Sequence, residues 1–292
     1  MKRMGMAVLL SLCLAATAQA ADLPDTKAKS AILMASDGSV LYESNADQSL
    51  PPASVTKIMT MLLTMEALDE GKVQLTDMVT ASANACSMGG TQIYLKEGEQ
   101  MSLDDMLKSI AVGSANDAAV AVAEHLGGSE QAFVDQMNER AKQLGCTGTT
   151  FVNPNGLDTD GEETLTTARD LALISRELMK HKRIYDYTTI WMDTVRDGAF
   201  QLANTNKLLR LYNGLTGLKT GYTSAAGFCI SATAHRDDMD LIAVVMAEPD
   251  KESRNADITA MLDYGFAAYG MTPILSEPDV LPKLPVLLGE KN

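Results

Sequence analysis

Cysteine is scarce in this chain, with four residues in 292, and one of them, Cys13, sits in an apolar N-terminal run. The remaining Cys86, Cys146 and Cys229 are scattered, too few for a disulfide framework and enough for one pair at most. Histidine is scarcer still: His125, His181 and His235 lie far apart in helix-like or turn-like contexts. Neither residue type occurs at the spacing of paired metal ligands, so no metal site and no cofactor is expected, and a Ser-His-Asp triad is a weak reading. Positive charge is also short. With 24 Lys and Arg against 38 Asp and Glu, the formal net charge is −14, which argues against nucleic acid as a partner and does not favour an anionic membrane. No segment approaches the roughly 18 uninterrupted apolar residues of a spanning helix, and there is no internal repeat or low-complexity stretch.

What is present begins with a basic start (Lys2, Arg3), an apolar run from Met4 to Ala16 and the small-residue ending Ala18-Gln19-Ala20. Residues 1–20 read as a signal peptide, which places the mature chain in the periplasm or at the exterior of the cell envelope. Its removal takes two positive charges with it, and the net charge to −16. At 46% hydrophobic residues the remainder can bury a sizeable core.

Strand patterns occupy both ends of that remainder. "SAILMAS" (30–36) and "SVLYESN" flank Asp37-Gly38, a pair suited to a tight hairpin turn, and 215–223, 227–236 and 239–248 alternate with Gly- and Asp-rich turns. Between them, from about 75 to 210, the texture is helical, with Ser102, Ser129 and Thr166 as candidate caps. The run from Val55 to Lys72 is apolar on nearly every face and predicts a helix buried all round, ending near Gly71. A last helix follows in "SRNADITAMLDYGFAAYG". These elements build an α+β domain over residues 21–272, an antiparallel sheet made from both chain ends, flanked by helices, with a helical subdomain inserted. Residues 273–292 are Pro-punctuated, and their short apolar runs fit the start of a further strand-rich unit.

In "PPASVTKIMT" (51–60), Ser54 and Lys57 stand three apart. On a helix they share one face, about 5–6 Å apart at Cβ. A serine at the first turn meets free N–H groups, and a lysine among Ile58 and Met59 has its charged form disfavoured by desolvation, so it could accept the serine proton. Alone the pair reads as a capped helix with an exposed lysine, because a chain of this size holds roughly one such match by chance. Two further signals change the balance: Ser114-Ala115-Asn116 in a turn between helices, and Lys219-Thr220-Gly221 on a strand.

The three together, in this order and context, resemble the Ser-x-x-Lys, Ser-x-Asn and Lys-Thr-Gly set of penicillin-binding proteins and β-lactamases. "VGSANDAAVAVAEHLGGSEQAFVDQMNERAKQLG", "TTFVNPNGLD", "TTARDLALI", "GLKTGYTSAAGFCISATA" and "RNADITAMLDYGF" narrow the resemblance to the low-molecular-mass D-alanyl-D-alanine carboxypeptidases, over roughly residues 25–270. That resemblance implies a β-lactamase/transpeptidase-like fold and a serine peptidase that removes the terminal D-alanine from peptidoglycan stem peptides ending in D-Ala-D-Ala and is acylated by β-lactams. It implies Ser54 as nucleophile, Lys57 as its base, and Ser114, held by Lys219, as proton relay to the leaving D-alanine. Asn116 would position the substrate amide, the N–H groups of Ser54 and Tyr222 would form the oxyanion hole, and Thr220 and Arg254 would bind the terminal carboxylate. Tyr222 stands where some members carry histidine, which a backbone role tolerates. Many members continue into a β-rich second domain and an amphipathic anchor; no such anchor occurs here, so membrane attachment is not an expectation of this sequence.

Two alternatives remain. A β-lactamase needs a carboxylate base for its deacylating water; Glu162 and Glu163 sit directly against the "TTARD" helix start rather than in the longer loop that role requires. A sensor module would be acylated without turnover. "NPNGLD" (153–158) is first a turn that could order the site floor, and "MGGTQIYLKEGE" (88–99) a Gly-Gly loop at its rim.

Overall fold

The computed structural model describes residues 23–157, 161 and 163–270. The expected signal peptide, residues 273–292 and Glu162 lie outside them. The chain enters through a hairpin, β1 (Ser30–Ala35) and β2 (Val40–Ser44). A turn of 3-10 helix at Ala53–Thr56 runs straight into α1 (Lys57–Asp69). There follow β3 (Met78–Thr80), α2 (Ala83–Cys86), β4 (Gln100–Ser102), α3 (Leu103–Ala111), α4 (Asn116–Gly127), α5 (Glu130–Gln143), α6 (Ala168–Leu178) and α7 (Tyr185–Thr188). The chain then makes β5 (Met192–Val195), β6 (Phe200–Ala203) and α8 (Leu208–Leu211), and closes with β7 (Leu215–Thr223), β8 (Gly227–Arg236), β9 (Met239–Glu248) and α9 (Lys251–Ala268).

One five-stranded sheet, in the order β2-β1-β9-β8-β7, is antiparallel throughout. The N-terminal hairpin supplies one edge and β7 the other. Burial on both faces explains the near-continuous apolar runs of the inner strands. Ile32, Met34, Ile242 and Val244 pack with α1 and the helical half, whereas Ala31, Leu33, Leu241, Ala243 and Val245 pack with Ile258, Met261 and Leu262 of α9.

The expected buried helix is α1, with Ile58, Met59, Met61, Leu62 and Met65 all enclosed. Ser102 and Ser129 cap α3 and α5, their Oγ atoms accepting N–H bonds from Asp105 and Ala132 at 3.1 Å each. The third cap is one residue further on than expected: Thr167, not Thr166, accepts from Asp170 N at 3.0 Å. Thr166 is instead bridged to Leu50, with backbone bonds of 2.9 and 3.0 Å. The region read as helical also contains two small sheets, β3–β4 and β5–β6.

Candidate active site

Two glycines press against the Pro52–Thr56 segment. A Cβ on Gly221 of β7 would lie 2.5 Å from the Pro52 carbonyl oxygen and 3.0 Å from the Ser54 nitrogen. A Cβ on Gly156 would collide with the Ala53 carbonyl and come within 2.6 Å of Thr56 Oγ1; Gly156 also has φ +73, where side chains are strained. Only bare backbone fits at either place. Held against them, Ala53 takes φ +49, rare for a residue with a Cβ, and Ser54 is carried half-buried to the floor of a cleft.

Behind Ser54 the Lys57 ammonium is wholly buried. Its Nζ lies 2.9 Å from Ser54 Oγ, 2.6 Å from Asn116 Oδ1 and 2.7 Å from the Asn155 carbonyl oxygen. Burial pushes its pKa well below the ordinary lysine value, the nearby Lys219 charge pushes it further, and Asp117 opposes both. In the ammonium form the three donors match three acceptors. Loss of one proton leaves two N–H groups for the amide and carbonyl and turns the lone pair toward the Ser54 hydroxyl.

Ser114, in the turn between α3 and α4, and Asn116, the first residue of α4, face this pair. Ser114 is buried with φ +63. The Asn116 side chain is engaged at both ends, Oδ1 with Lys57 and Nδ2 donating to the Gly89 carbonyl at 2.8 Å. Asp117, fully buried, accepts the N–H groups of Ile93 and Leu95 at 3.0–3.2 Å. The 88–99 segment is therefore pinned to α4 rather than free at the rim, and Thr91 joins the cleft lining.

From the sheet edge, Lys219 is buried and donates to the Thr220 carbonyl at 2.8 Å. The Lys219 ammonium, expected to lend positive charge and hold Ser114, makes its side-chain hydrogen bond to its own strand. Burial, aided by the Arg254 charge, brings its pKa down to about 7. Thr220 Oγ1 donates to Thr205 Oγ1 at 2.7 Å. The Tyr222 ring, more than half exposed, stacks on Phe228 with centroids 4.2 Å apart. Arg254, in the first turn of α9, is buried and its Nε and Nη2 reach only the neighbouring Asn255 Oδ1, at 3.2 and 2.9 Å.

All nine residues singled out in the sequence converge here. Ser54, Ser114, Thr220, Gly221, Tyr222 and Arg254 line a cleft of about 610 Å³, and Lys57, Asn116 and Lys219 stand behind its wall. Thr205, Lys207, Lys251 and Glu252 also line it, so with Arg254 three cationic side chains against one acid border the cleft of an acidic chain. The histidines are elsewhere, His181 beside Asp69 at 2.6 Å and His235 beside Asp240 at 2.9 Å. The cysteines Cys86, Cys146 and Cys229 are free thiols. Among the described residues no group of three or more His, Cys, Asp or Glu could hold a metal ion, and no helix is long and apolar enough to cross a membrane.

Residues 16–250 match the model of the D-alanyl-D-alanine carboxypeptidase family. The chain belongs to that family. It is 45% identical over 270 residues to the D-alanyl-D-alanine carboxypeptidase DacF of Bacillus subtilis, spanning 91% of this chain and 69% of the relative. The DacC carboxypeptidase of Escherichia coli is 38% identical over 90% of this chain and 67% of its own length. Among solved structures, penicillin-binding protein D2 of Listeria monocytogenes in its ampicillin-bound form superposes with a TM-score of 0.76 at 34% identity, covering 82% of this chain and 98% of that one. Penicillin-binding protein 5 of Haemophilus influenzae does so with a TM-score of 0.79 at 34% identity, covering 84% and 72%. The transpeptidase-like α+β fold is thus established for this carboxypeptidase-family chain.

Sequence reasoning missed Asn155 and Asp117 as parts of the site. Asn155 acts through its main-chain carbonyl, which residue type does not advertise, although "NPNGLD" reads as a turn at the site floor. Asp117 directly follows the Ser-Ala-Asn motif, and its position beside a loop that needs acceptors was the available signal.

Proposed function

We propose that this chain hydrolyses the terminal peptide bond of D-Ala-D-Ala stem peptides through a Ser54 acyl-enzyme, in the periplasm or at the exterior of the cell envelope after export. The observation that carries the reading is the buried Lys57 at 2.9 Å from Ser54 Oγ with no carboxylate among its hydrogen-bond partners. A lysine so placed is held by burial in a state able to take the serine proton as Oγ attacks the penultimate D-alanine carbonyl.

The developing oxyanion is accepted by the N–H groups of Ser54 and Tyr222, which the bare Gly221 brings together. Ser114, on the opposite wall, passes the proton to the departing nitrogen, so the C–N bond breaks and free D-alanine leaves. Thr220 and Arg254 bind its carboxylate, which restricts the enzyme to chain ends. Water then attacks the ester with Lys57 again as base. Asn116 fixes the lysine through Oδ1, and the Nδ2 hydrogen not given to the Gly89 carbonyl is left to position the substrate amide. Glu163, the described one of the two carboxylates weighed for a β-lactamase, is exposed and absent from the cleft lining.

A free D-alanine assay on the purified protein tests the reading. Release of one D-alanine per pentapeptide is expected; labelling by benzylpenicillin without release of D-alanine would make the protein a sensor.

A further inference from the structure

The end of β9 carries a carboxyl group that the mechanism does not use. Glu248 is buried, pairs across the sheet with Phe228, and neither of its side-chain oxygens meets a donor. The carboxyl of Asp257, itself buried in the second turn of α9, comes within hydrogen-bonding reach of it. Asp257 has a donor from elsewhere: the Lys27 backbone N–H reaches its Oδ2 at 2.6 Å. Two buried carboxylates in contact, one with no donor at all, are a costly arrangement, and a proton on one of them removes the cost and supplies the missing hydrogen bond.

The groups around Glu248 come from four segments. Asp257 and Arg254 face it from α9, Asp250 from the turn before that helix, Lys27 from the segment that leads into β1, and Cys229 from β8. Asp257 and burial favour the protonated form, while Lys27 works against it. Asp250 is otherwise committed, accepting the Ser253 N–H at 2.6 Å as cap of α9. Burial and Asp257 raise the Glu248 pKa to about 8.

Arg254 precedes Asp257 by three residues and so shares its face of α9. The arginine's own hydrogen bonds run only to Asn255, its neighbour in the chain. No hydrogen bond from another element holds the guanidinium in the cleft, so its aim depends on where α9 is placed. We propose that Glu248 is a positioning residue: as a neutral acid it donates its O–H to Asp257, fastens the first turns of α9 to the end of β9, and holds Arg254 at the carboxylate end of the cleft. This rests on Arg254 being the carboxylate anchor proposed above. When Glu248 ionises, the bond to Asp257 is replaced by repulsion between two enclosed carboxylates, and the Glu248 charge draws the Arg254 guanidinium toward itself and away from the cleft.

Glutamine copies the neutral acid in shape and in its ability to donate, but does not titrate. Wild type and Glu248→Gln are compared at about pH 7 and about pH 9.5, on either side of the Glu248 transition, with peptides ending in a free carboxylate and with their amides. In wild type, KM for the acid peptide is expected to rise about tenfold more than in the glutamine variant, the loss of one charge-assisted hydrogen bond, with the ratio of kcat between the two enzymes unchanged and the amides unaffected. Identical pH profiles for the two enzymes, or equal shifts for acid and amide in wild type, overturn the proposal; the second comparison needs no variant. If no peptide releases D-alanine, the catalytic reading fails by itself. The same comparison then runs on the rate of benzylpenicillin acylation, since that molecule also carries a carboxylate, and it decides the role of Glu248 independently.

Discussion

Lys57 Nζ stands 2.9 Å from Ser54 Oγ, and its other two partners, the Asn116 amide oxygen and the Asn155 carbonyl, are uncharged. A buried ammonium without a bonded counterion is costly, and the cost falls on the charged form alone. The geometry thus favours the one protonation state in which lysine acts as a base.

Replacing Lys57 by arginine removes the base, because guanidinium stays protonated. Acylation by benzylpenicillin should fall by roughly 10²–10⁴-fold, the contribution of a positioned proton acceptor. Stopped-flow labelling checks this, with circular dichroism confirming the fold; a labelling rate near that of wild type would mark Lys57 as structural.

Gly221→Ala places a methyl 2.5 Å from the Pro52 carbonyl oxygen and 3.0 Å from the Ser54 nitrogen, both backbone atoms that cannot rotate away. A destabilisation of about 1–3 kcal/mol is expected from the overpacking, together with slower acylation, because the oxyanion donors are spread apart. Unchanged acylation kinetics would show that the two segments do not cooperate in the reaction.

Half of this account was legible in residue patterns. The hairpin at Asp37-Gly38 and the strands 215–223, 227–236 and 239–248 were readable because Gly- and Asp-rich turns punctuate long apolar runs. The β3–β4 and β5–β6 pairs escaped, being three or four residues long with one buried residue each, Val79, Met101, Val195 and Leu202, too few to impose an alternating pattern. The cap of α6 lies at Thr167 because Thr166 is drawn into a bridge with Leu50, a partner 116 residues away in the chain. At the site, side-chain roles announced themselves through spacing. Roles played by the main chain, such as the Asn155 carbonyl under Lys57, did not, and neither did the turning of Lys219 to the Thr220 carbonyl, which only the closed strand edge decides.

Arg254→Ala should weaken turnover of peptides with a free terminal carboxylate by about 1.5–3 kcal/mol in kcat/KM, the worth of a hydrogen bond to a charged group. Amidated peptides should lose far less. Equal losses in steady-state kinetics for acid and amide would make Arg254 a packing residue.

Lys219 titrates at about 7 in the folded protein, against 10.5 when unfolded. Below pH 7 both states are charged and the folded protein bears the full cost of burying that charge. Between about 7 and 10.5 the unfolded chain binds the extra proton, so stability rises with pH over that window. Denaturant melts of wild type and Lys219→Met should therefore converge as pH climbs from 7 to 10, with the variant the more stable at the acid end. A constant gap would mean that the Lys219 charge is not what burial penalises.

Intact-protein mass spectrometry after a brief benzylpenicillin pulse, followed by peptide mapping, tests the central claim most directly. The expected result is one penicilloyl group per chain, located on Ser54, persisting far longer than the peptide intermediate because no dedicated carboxylate activates a water against it, and absent from Ser54→Ala. Rapid consumption of the antibiotic with no accumulating adduct, or an adduct on any other residue, would contradict it.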